Sequence, residues 1–130
     1  MHKINSTYRQ FYVADAGLEP LAPEEWTDKH IKQRFNSLKN IVALCTEGDI
    51  TARIITLKPD EVYKSNDKPD FVVNTHLAIE TGSLGIFEWP WEKLEEFQVT
   101  NGNYNIKFSG YNLVADKEEN DYYVVEISSA

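Results

Sequence analysis

The feature that most constrains the fold of this chain is a period-two alternation of apolar and polar residues in short segments between turn signals. Residues 71–79 show it most clearly, because large apolar or β-branched side chains occupy every odd position: Phe71, Val73, Thr75, Leu77 and Ile79. Successive side chains of a β-strand point to opposite faces, whereas a helix needs a period of 3.6 residues. The segment therefore predicts a strand with one buried face and one solvated face.

Seven further segments have strand character, which makes about eight in total. Residues 40–46 are apolar on both faces, as in a strand that is buried on both sides. Most of the others alternate, and this favours antiparallel pairing. The seven segments are 7–13, 40–46, 49–57, 84–88, one that starts at Phe97, 104–113 and 122–127.

Two turn signals and one change of apolar parity suggest how these strands are connected and shaped. Glu47-Gly48 predicts a tight hairpin between residues 40–46 and 49–57, since Gly supplies the positive φ that such turns need. The Asn-Gly-Asn sequence at residues 101–103 is the strongest turn signal in the chain. The apolar parity changes after Gly110, and a phase change of one residue at a Gly predicts a β-bulge.

One short helix is predicted at about residues 28–36. Thr27 is a suitable N-cap, and Asp28 in the first turn interacts favourably with the positive end of the helix dipole. Trp26 and Ile31 then have the spacing of a hydrophobic staple. We therefore expect one mostly β domain covering residues 1–130, an antiparallel β-sandwich of about eight strands with one short helix after the first strand.

The chain is acidic, with 13 Lys and Arg residues against 21 Asp and Glu residues, a formal net charge of −8 and a pI near 4.8. A surface of this sign repels phosphate backbones, so direct binding of nucleic acid is disfavoured, whereas a basic partner would be attracted. Charge alone favours the plainer explanation, that the acidic residues only keep the protein soluble. No apolar run reaches the ~20 residues that span a bilayer, and the first residues lack the apolar core of a signal peptide. We expect a cytoplasmic protein without membrane contact.

The residue types needed for catalysis do not form recognisable sets. His2, His30 and His76 are far apart, and none has a metal-ligand spacing with another His or with Cys45. Cys45 lies in an apolar segment, which is typical of a small buried side chain rather than of a reactive thiol. There is no Gly-x-Ser-x-Gly motif and no phosphate-binding glycine loop. We therefore expect no enzyme activity, no metal site and no cofactor.

Two features point to binding of a protein partner. The first is the sequence Trp89-Pro90-Trp91, followed by Glu92, Glu95 and Glu96, because Trp is enriched in interface hot spots and Pro limits the entropy lost on binding. The second is an acidic segment containing Glu118, Glu119 and Asp121. Each has a plainer explanation: one or both Trp rings would cap the core, and the acidic segment would only be solvated.

Two other functions compete with binding of a protein. A carbohydrate- or small-ligand-binding sandwich would use Trp89, Trp91 and Tyr104 as a stacking platform. An uncharacterised hydrolase would instead need a pocket in which acids with perturbed pKa values converge.

Several blocks of the chain, taken in order, resemble the competence protein J (ComJ) family. They are residues 8–13 (Tyr-Arg-Gln-Phe-Tyr-Val), Trp26-Thr27-Asp28 with Ile31, residues 71–73, residues 102–106 and the closing segment 122–127. The resemblance covers about residues 7 to 128. It implies a non-enzymatic inhibitor that binds and inactivates a nuclease or, in immunity-like relatives, a toxin. The family supplies no functional residues that can be transferred to this chain.

Overall fold

The computed structural model describes residues 2–6, 10–19, 22–23, 25–46, 52–88, 91–113 and 122–130. Within these residues the chain forms one helix and ten strands, in two five-stranded sheets. In chain order they are β1 His2–Ser6, β2 Gln10–Asp15, α1 Asp28–Gln33, β3 Phe35–Ser37, β4 Ile41–Cys45, β5 Ala52–Thr56, β6 Phe71–Ile79, β7 Ser83–Glu88, β8 Glu92–Gln98, β9 Gly102–Tyr111 and β10 Tyr122–Ser129.

The two sheets have different strand orders. Sheet A has the order β1-β5-β10-β9-β6, and sheet B has the order β3-β4-β2-β7-β8. Neighbouring strands run antiparallel except for β5 and β10, which are parallel. The prediction of a mostly β sandwich with largely antiparallel pairing is confirmed.

The main core lies between the sheets. On β6 the odd-numbered side chains Thr75, Leu77 and Ile79 are buried and the even-numbered Asn74 and His76 are exposed, as the alternation predicts. Phe11 of sheet B contacts Phe108 of sheet A edge to face, with 5.6 Å between the ring centroids. Aromatic and aliphatic side chains of the two inner faces therefore interlock in one cluster.

Both sheets also bury apolar residues on their outer faces. On sheet B, Tyr12, Ala14, Ile41 and Ala43 form a cluster against which Trp26, Phe87 and Trp91 pack. On sheet A, Ile55, Leu57, Tyr111 and Val124 form a second cluster, covered by Tyr63 and Tyr122. This explains why residues 40–46 are apolar on both faces, since β4 borders the main core on one side and the outer cluster of sheet B on the other.

The strand count differs from the predicted eight because β1 and β3 were not expected. β1 has one large apolar residue, Ile4, and it forms by pairing with β5 rather than through its own pattern. The helix consequently follows the second strand and not the first. Residues 7–9 of the predicted first strand lie outside the described residues.

The predicted hairpin between β4 and β5 is wrong. β4 pairs with β2 and β3 in sheet B, whereas β5 pairs with β1 and β10 in sheet A. A turn signal indicates that the chain changes direction, and it does not indicate which sheet the next strand joins. The turn at residues 47 and 48 itself lies outside the described residues.

The predicted β-bulge at Gly110 is also wrong. The register of β9 with β10 continues without a shift through Gly110 and Tyr111. The parity changes because Tyr111 is buried on the outer face of sheet A, and Gly110 is needed because a Cβ there would overlap the ring of Phe71. A register shift occurs instead between Ile86 and Phe87, where β7 pairs with β8.

Helix α1 begins as predicted and ends early. The Thr27 side chain accepts a hydrogen bond from the His30 main-chain N–H, and the His30 ring contacts the Thr27 main-chain N–H in return, which completes a capping box. Arg34 adopts a left-handed conformation with φ 74° and ends the helix. The predicted staple is absent, because Ile31 is 61% exposed and Trp26 packs on the outer cluster of sheet B.

Candidate partner-binding surface

The strand ends that flank the Trp89-Pro90-Trp91 sequence and the acidic segment with Glu118, Glu119 and Asp121 lie at one end of the sandwich. In sheet B, Gln10 begins β2 opposite Cys45 at the end of β4, and Glu88 at the end of β7 lies opposite Glu92 at the start of β8. In sheet A, the corresponding strand ends are Ser6, Ala52, Phe71, Tyr111 and Tyr122. We call these residues the Glu88 end.

A cation–π contact joins the two sheets at this end, since Arg34 directly precedes β3 of sheet B and lies over Phe71 of sheet A. The guanidinium carbon of Arg34 lies 4.0 Å from the centroid of the Phe71 ring. Phe71 in turn packs against Phe108 and Tyr123, with centroid distances of 5.3 and 6.2 Å. The strand ends of sheets A and B therefore lie on the same side of the molecule, next to the packed rings of Phe71, Phe108 and Tyr123.

Trp91 is half-buried at the Glu88 end. Its ring packs on the outer face of sheet B against Tyr12 and Phe87, with centroid distances of 4.7 and 6.2 Å. Its main-chain N–H donates to the Glu88 carbonyl at 2.7 Å, and its φ of 84° is unusual for a bulky side chain. Trp91 thus covers the outer cluster while part of its ring faces solvent. Trp89, the other predicted ring, lies outside the described residues.

The three predicted glutamates of β8 divide between its two faces. Glu92 lies opposite Glu88 and Glu95 lies opposite Ile86, so both are on the inner side of sheet B. Glu96 lies opposite Gly85 on the outer side. Glu92 is exposed and Glu95 is partly buried. Sequence alternation alone would misplace these residues, because the register shift between Ile86 and Phe87 changes the parity along β8.

Glu96 is held by neighbouring side chains of the same chain. Its carboxylate accepts hydrogen bonds from Lys93, from the Ser83 hydroxyl at 2.5 Å and from Gln98 at 3.5 Å. The bonds from Lys93 and then Ser83 lower the pKa of Glu96 below its ordinary value. Glu96 therefore helps to pin the edge strand β8 onto β7.

Glu88 was not singled out by the sequence analysis. Its exposed fraction is 8%, and its Oε2 atom is buried without a hydrogen-bond partner. The signal was present, because Leu84, Ile86 and Glu88 share one parity and the first two are core residues. An acid that continues an inward-facing apolar series is a sequence signal for a buried carboxylate.

The second predicted feature, Glu118, Glu119 and Asp121, lies outside the described residues. The residues that flank it are well placed: Tyr111 pairs with Tyr122, so β9 ends and β10 begins at the Glu88 end. The Tyr111 and Tyr122 rings stack at 4.8 Å, and the Tyr122 hydroxyl donates to Asp67 at 3.1 Å. Burial raises the pKa of Tyr122, as do its hydrogen bonds with Tyr63 and Asp67, although the hydrogen bond with Ser65 acts to lower it.

The platform required by the carbohydrate hypothesis is not formed. Tyr104 is 4% exposed and belongs to the main core, and its hydroxyl donates to the Thr100 carbonyl at 2.6 Å. Trp91 offers its remaining ring surface on the outer face of sheet B. Tyr104 and Trp91 therefore do not share a surface on which a sugar ring would stack.

Metal and membrane chemistry find no support in the described part of the chain. These residues contain no group of three or more His, Cys, Asp or Glu side chains that is placed to hold a metal ion. Among the same residues, no helix has the length and apolar character needed to cross a membrane.

Comparison with known proteins places these observations in a family. The model of the Competence protein J (ComJ) family matches residues 3–128. A crystal structure of ComJ from Bacillus subtilis, described as an inhibitor of the DNA degrading activity of NucA, has a TM-score of 0.79 at 16% identity, covering 100% of this chain and 96% of that one. A second structure, of Crocagin biosynthetic gene J, has a TM-score of 0.54 at 12% identity, with coverages of 98% and 95%. No curated protein matched the sequence. At these identities the two structures show a shared fold.

Proposed function

Because the chain belongs to the competence protein J family, we propose that it is a non-enzymatic inhibitor that binds a nuclease and blocks its DNA-degrading activity. The observation that carries this proposal is the family match over residues 3–128. It is supported by a structural neighbour that covers the whole chain and is itself described as a nuclease inhibitor.

We further propose that the Glu88 end makes the contact. A nuclease must bind a phosphate backbone, so its cleft carries cationic side chains. The sequence segments that join strand ends at the Glu88 end, residues 7–9, 47–51, 89–90 and 114–121, contain six acids and two bases. Concentrated negative charge at one end speeds association with a basic cleft and orients the approach.

Aromatic residues would provide the slow dissociation that an inhibitor needs. Trp91 is held by Tyr12 and Phe87, so little side-chain entropy remains to be lost when a partner covers its exposed part. Trp89 precedes it by two residues in the sequence. We assign Trp89, Trp91, Glu92, Glu95, Glu118, Glu119 and Asp121 to the contact, and we assign Glu96 to the support of β8. The site of action in this proposal is the cytoplasm.

The proposal is tested by mixing the purified chain with a purified nuclease of the same cell, beginning with the product of the neighbouring gene if that product is a nuclease. The chain should form a stable complex with this nuclease and should abolish degradation of duplex DNA in a gel assay. NucA of Bacillus subtilis is a second target for the same assay. Full DNA degradation at a tenfold molar excess of the chain over each nuclease would refute the inhibitor role.

A further inference from the structure

The Oε2 atom of the Glu88 carboxylate is buried and has no hydrogen-bond partner in the described part of the chain. Glu88 lies opposite Phe11, which is fully buried, and continues the inward-facing series of Leu84 and Ile86. Removing a charged oxygen from water without a compensating contact costs free energy, so an orphaned carboxylate in a native fold requires an explanation.

The residues beside Glu88 increase this cost. Glu92 is its direct cross-strand neighbour on the same face, and like charges in this arrangement repel each other. Lys93, the single cation in the sequence of β8, pairs with Glu96 on the opposite face. Lys93 is therefore directed away from Glu88.

The adjoining turn is strained as well. Trp91 holds a φ of 84° while its N–H closes the turn onto the Glu88 carbonyl. A bulky residue in this conformation costs free energy, and such strain persists where a binding site requires a particular chain path. Glu92 is exposed, so solvent and a partner can approach the pair of carboxylates from the side of β8.

We propose that Glu88 is the buried half of a charge pair, and that the other half is an arginine or lysine side chain of the bound nuclease. The inference rests on the proposed function and adds the residue that receives the partner's cation. A cationic side chain inserted beside Glu92 would pair with the Glu88 carboxylate and relieve the repulsion between the two acids. A side chain fits better than a metal ion, because the described residues contain no three-ligand group.

The test compares Glu88→Gln and Glu88→Met with the control Glu80→Gln. The substitution Glu80→Gln removes the same charge at the opposite end of the sandwich. There Glu80 pairs with Lys39 at 3.5 Å and accepts a hydrogen bond from Asn40 at 2.9 Å. Unfolding of each free protein in urea and binding kinetics to the nuclease that the parent chain inhibits are both measured.

Both Glu88 variants should unfold at equal or higher urea concentration than the parent chain, because they remove an unpaired buried charge. Their Kd for the nuclease should rise on the order of 100-fold, mainly through faster dissociation, whereas Glu80→Gln should stay within about twofold.

The outcomes separate this inference from the proposed function. If the parent chain inhibits the nuclease and the Glu88 variants bind equally well, the charge pair is wrong and the inhibitor role stands. If both Glu88 variants unfold at clearly lower urea concentration, Glu88 has a structural role and the inference is overturned. Failure of the parent chain to bind the nuclease refutes the inhibitor role itself and the charge pair with it.

Discussion

At the scale of single residues, Asp15 connects the two sheets at the end opposite Glu88. Its carboxylate is 3% exposed and accepts hydrogen bonds from the main-chain N–H groups of Gly17, Glu80 and Thr81 and from the Thr81 hydroxyl. It thereby ties the end of β2 in sheet B to the segment that leads from β6 in sheet A to β7 in sheet B. One short side chain thus satisfies three main-chain donors.

Substitution Asp15→Asn should lower the free energy of unfolding by about 3 kcal/mol at neutral pH, because an amide NH₂ would face groups that are themselves donors. Urea unfolding followed by tryptophan fluorescence measures the loss. Asp28→Asn is the control, since Asp28 is exposed in the first turn of α1 and should cost less than about 0.5 kcal/mol. A loss at Asp15 no larger than at Asp28 would contradict the tie between the sheets.

Asp15 should also make stability depend on acid pH. Burial acts to raise its pKa, but the bonds from the Thr81 side chain and from the main chain outweigh burial and hold the pKa below the ordinary value. A carboxyl whose folded pKa is lowered contributes its stability above the unfolded pKa of about 3.9, and this contribution is lost as the pH falls through the folded pKa. The parent chain should therefore lose more stability between pH 5 and pH 3 than Asp15→Asn does.

Cys45 should be nearly inert as a nucleophile. Burial raises its pKa to about 11, although Arg34 acts to lower it. About 0.1% of the thiol is then ionised at pH 8, against about a quarter for an ordinary pKa near 8.5. Alkylation by iodoacetamide at pH 8 should be about 200-fold slower in the folded chain than in urea. Equal rates in the two conditions would show that the thiol is exposed.

At the scale of elements, α1 depends on its cap rather than on its burial. The helix has six residues and none of them is buried. Helices this short are not stable through propensity alone, so the Thr27–His30 capping box must supply much of the order. The sequence predicted the cap correctly and the staple wrongly, because Trp26 packs against the outer cluster of sheet B and not against Ile31.

The helix therefore offers a paired prediction. Thr27→Ala should lower the free energy of unfolding by about 1 kcal/mol, since the His30 N–H loses its acceptor. Ile31→Ala should change it by less than about 0.5 kcal/mol, since Ile31 is 61% exposed. Chemical denaturation of both variants measures the two losses. A larger loss for Ile31→Ala than for Thr27→Ala would show that Ile31 does form the hydrophobic staple.

At the scale of the whole molecule, charge and strand topology act together. The strand ends that flank residues 47–51, 89–90 and 114–121 all lie at the Glu88 end, so acids distant in sequence can act on one partner. Electrostatic attraction of this kind changes the association rate more than the dissociation rate, and added salt weakens it.

Charge reversal at Glu118 and Glu119 should therefore slow association with the nuclease by about tenfold at low salt and flatten its dependence on ionic strength. The matched control reverses Glu19 and Glu80 at the other end. Each pair of reversals changes the formal net charge from −8 to −4. Stopped-flow kinetics at several salt concentrations compare the two. Equal slowing by both pairs would mean that net charge, and not the Glu88 end, governs the encounter.

The candidate site was predicted unevenly. The run Trp89-Pro90-Trp91 and the acids Glu92 and Glu95 were identified from residue type, because Trp and clustered charge are recognisable in any fold. Glu96 was included for the same reason, although it bonds to Lys93 and Ser83 within the chain. Residue type did not identify Glu88, because the burial of its Oε2 atom without a hydrogen bond in the described part of the chain depends on residues distant in sequence.

The sequence by itself determined that the chain is acidic and mostly β with a capped helix, because alternation, turn residues and N-caps act between near neighbours. It also determined the inward faces of β6 and β10. Only the tertiary structure decided that β4 and β5 belong to different sheets, that β5 and β10 run parallel, and that Glu88 is buried beside Glu92. The physical reason is that strand pairing depends on contacts between segments far apart in the chain, and no local pattern encodes which segments pair.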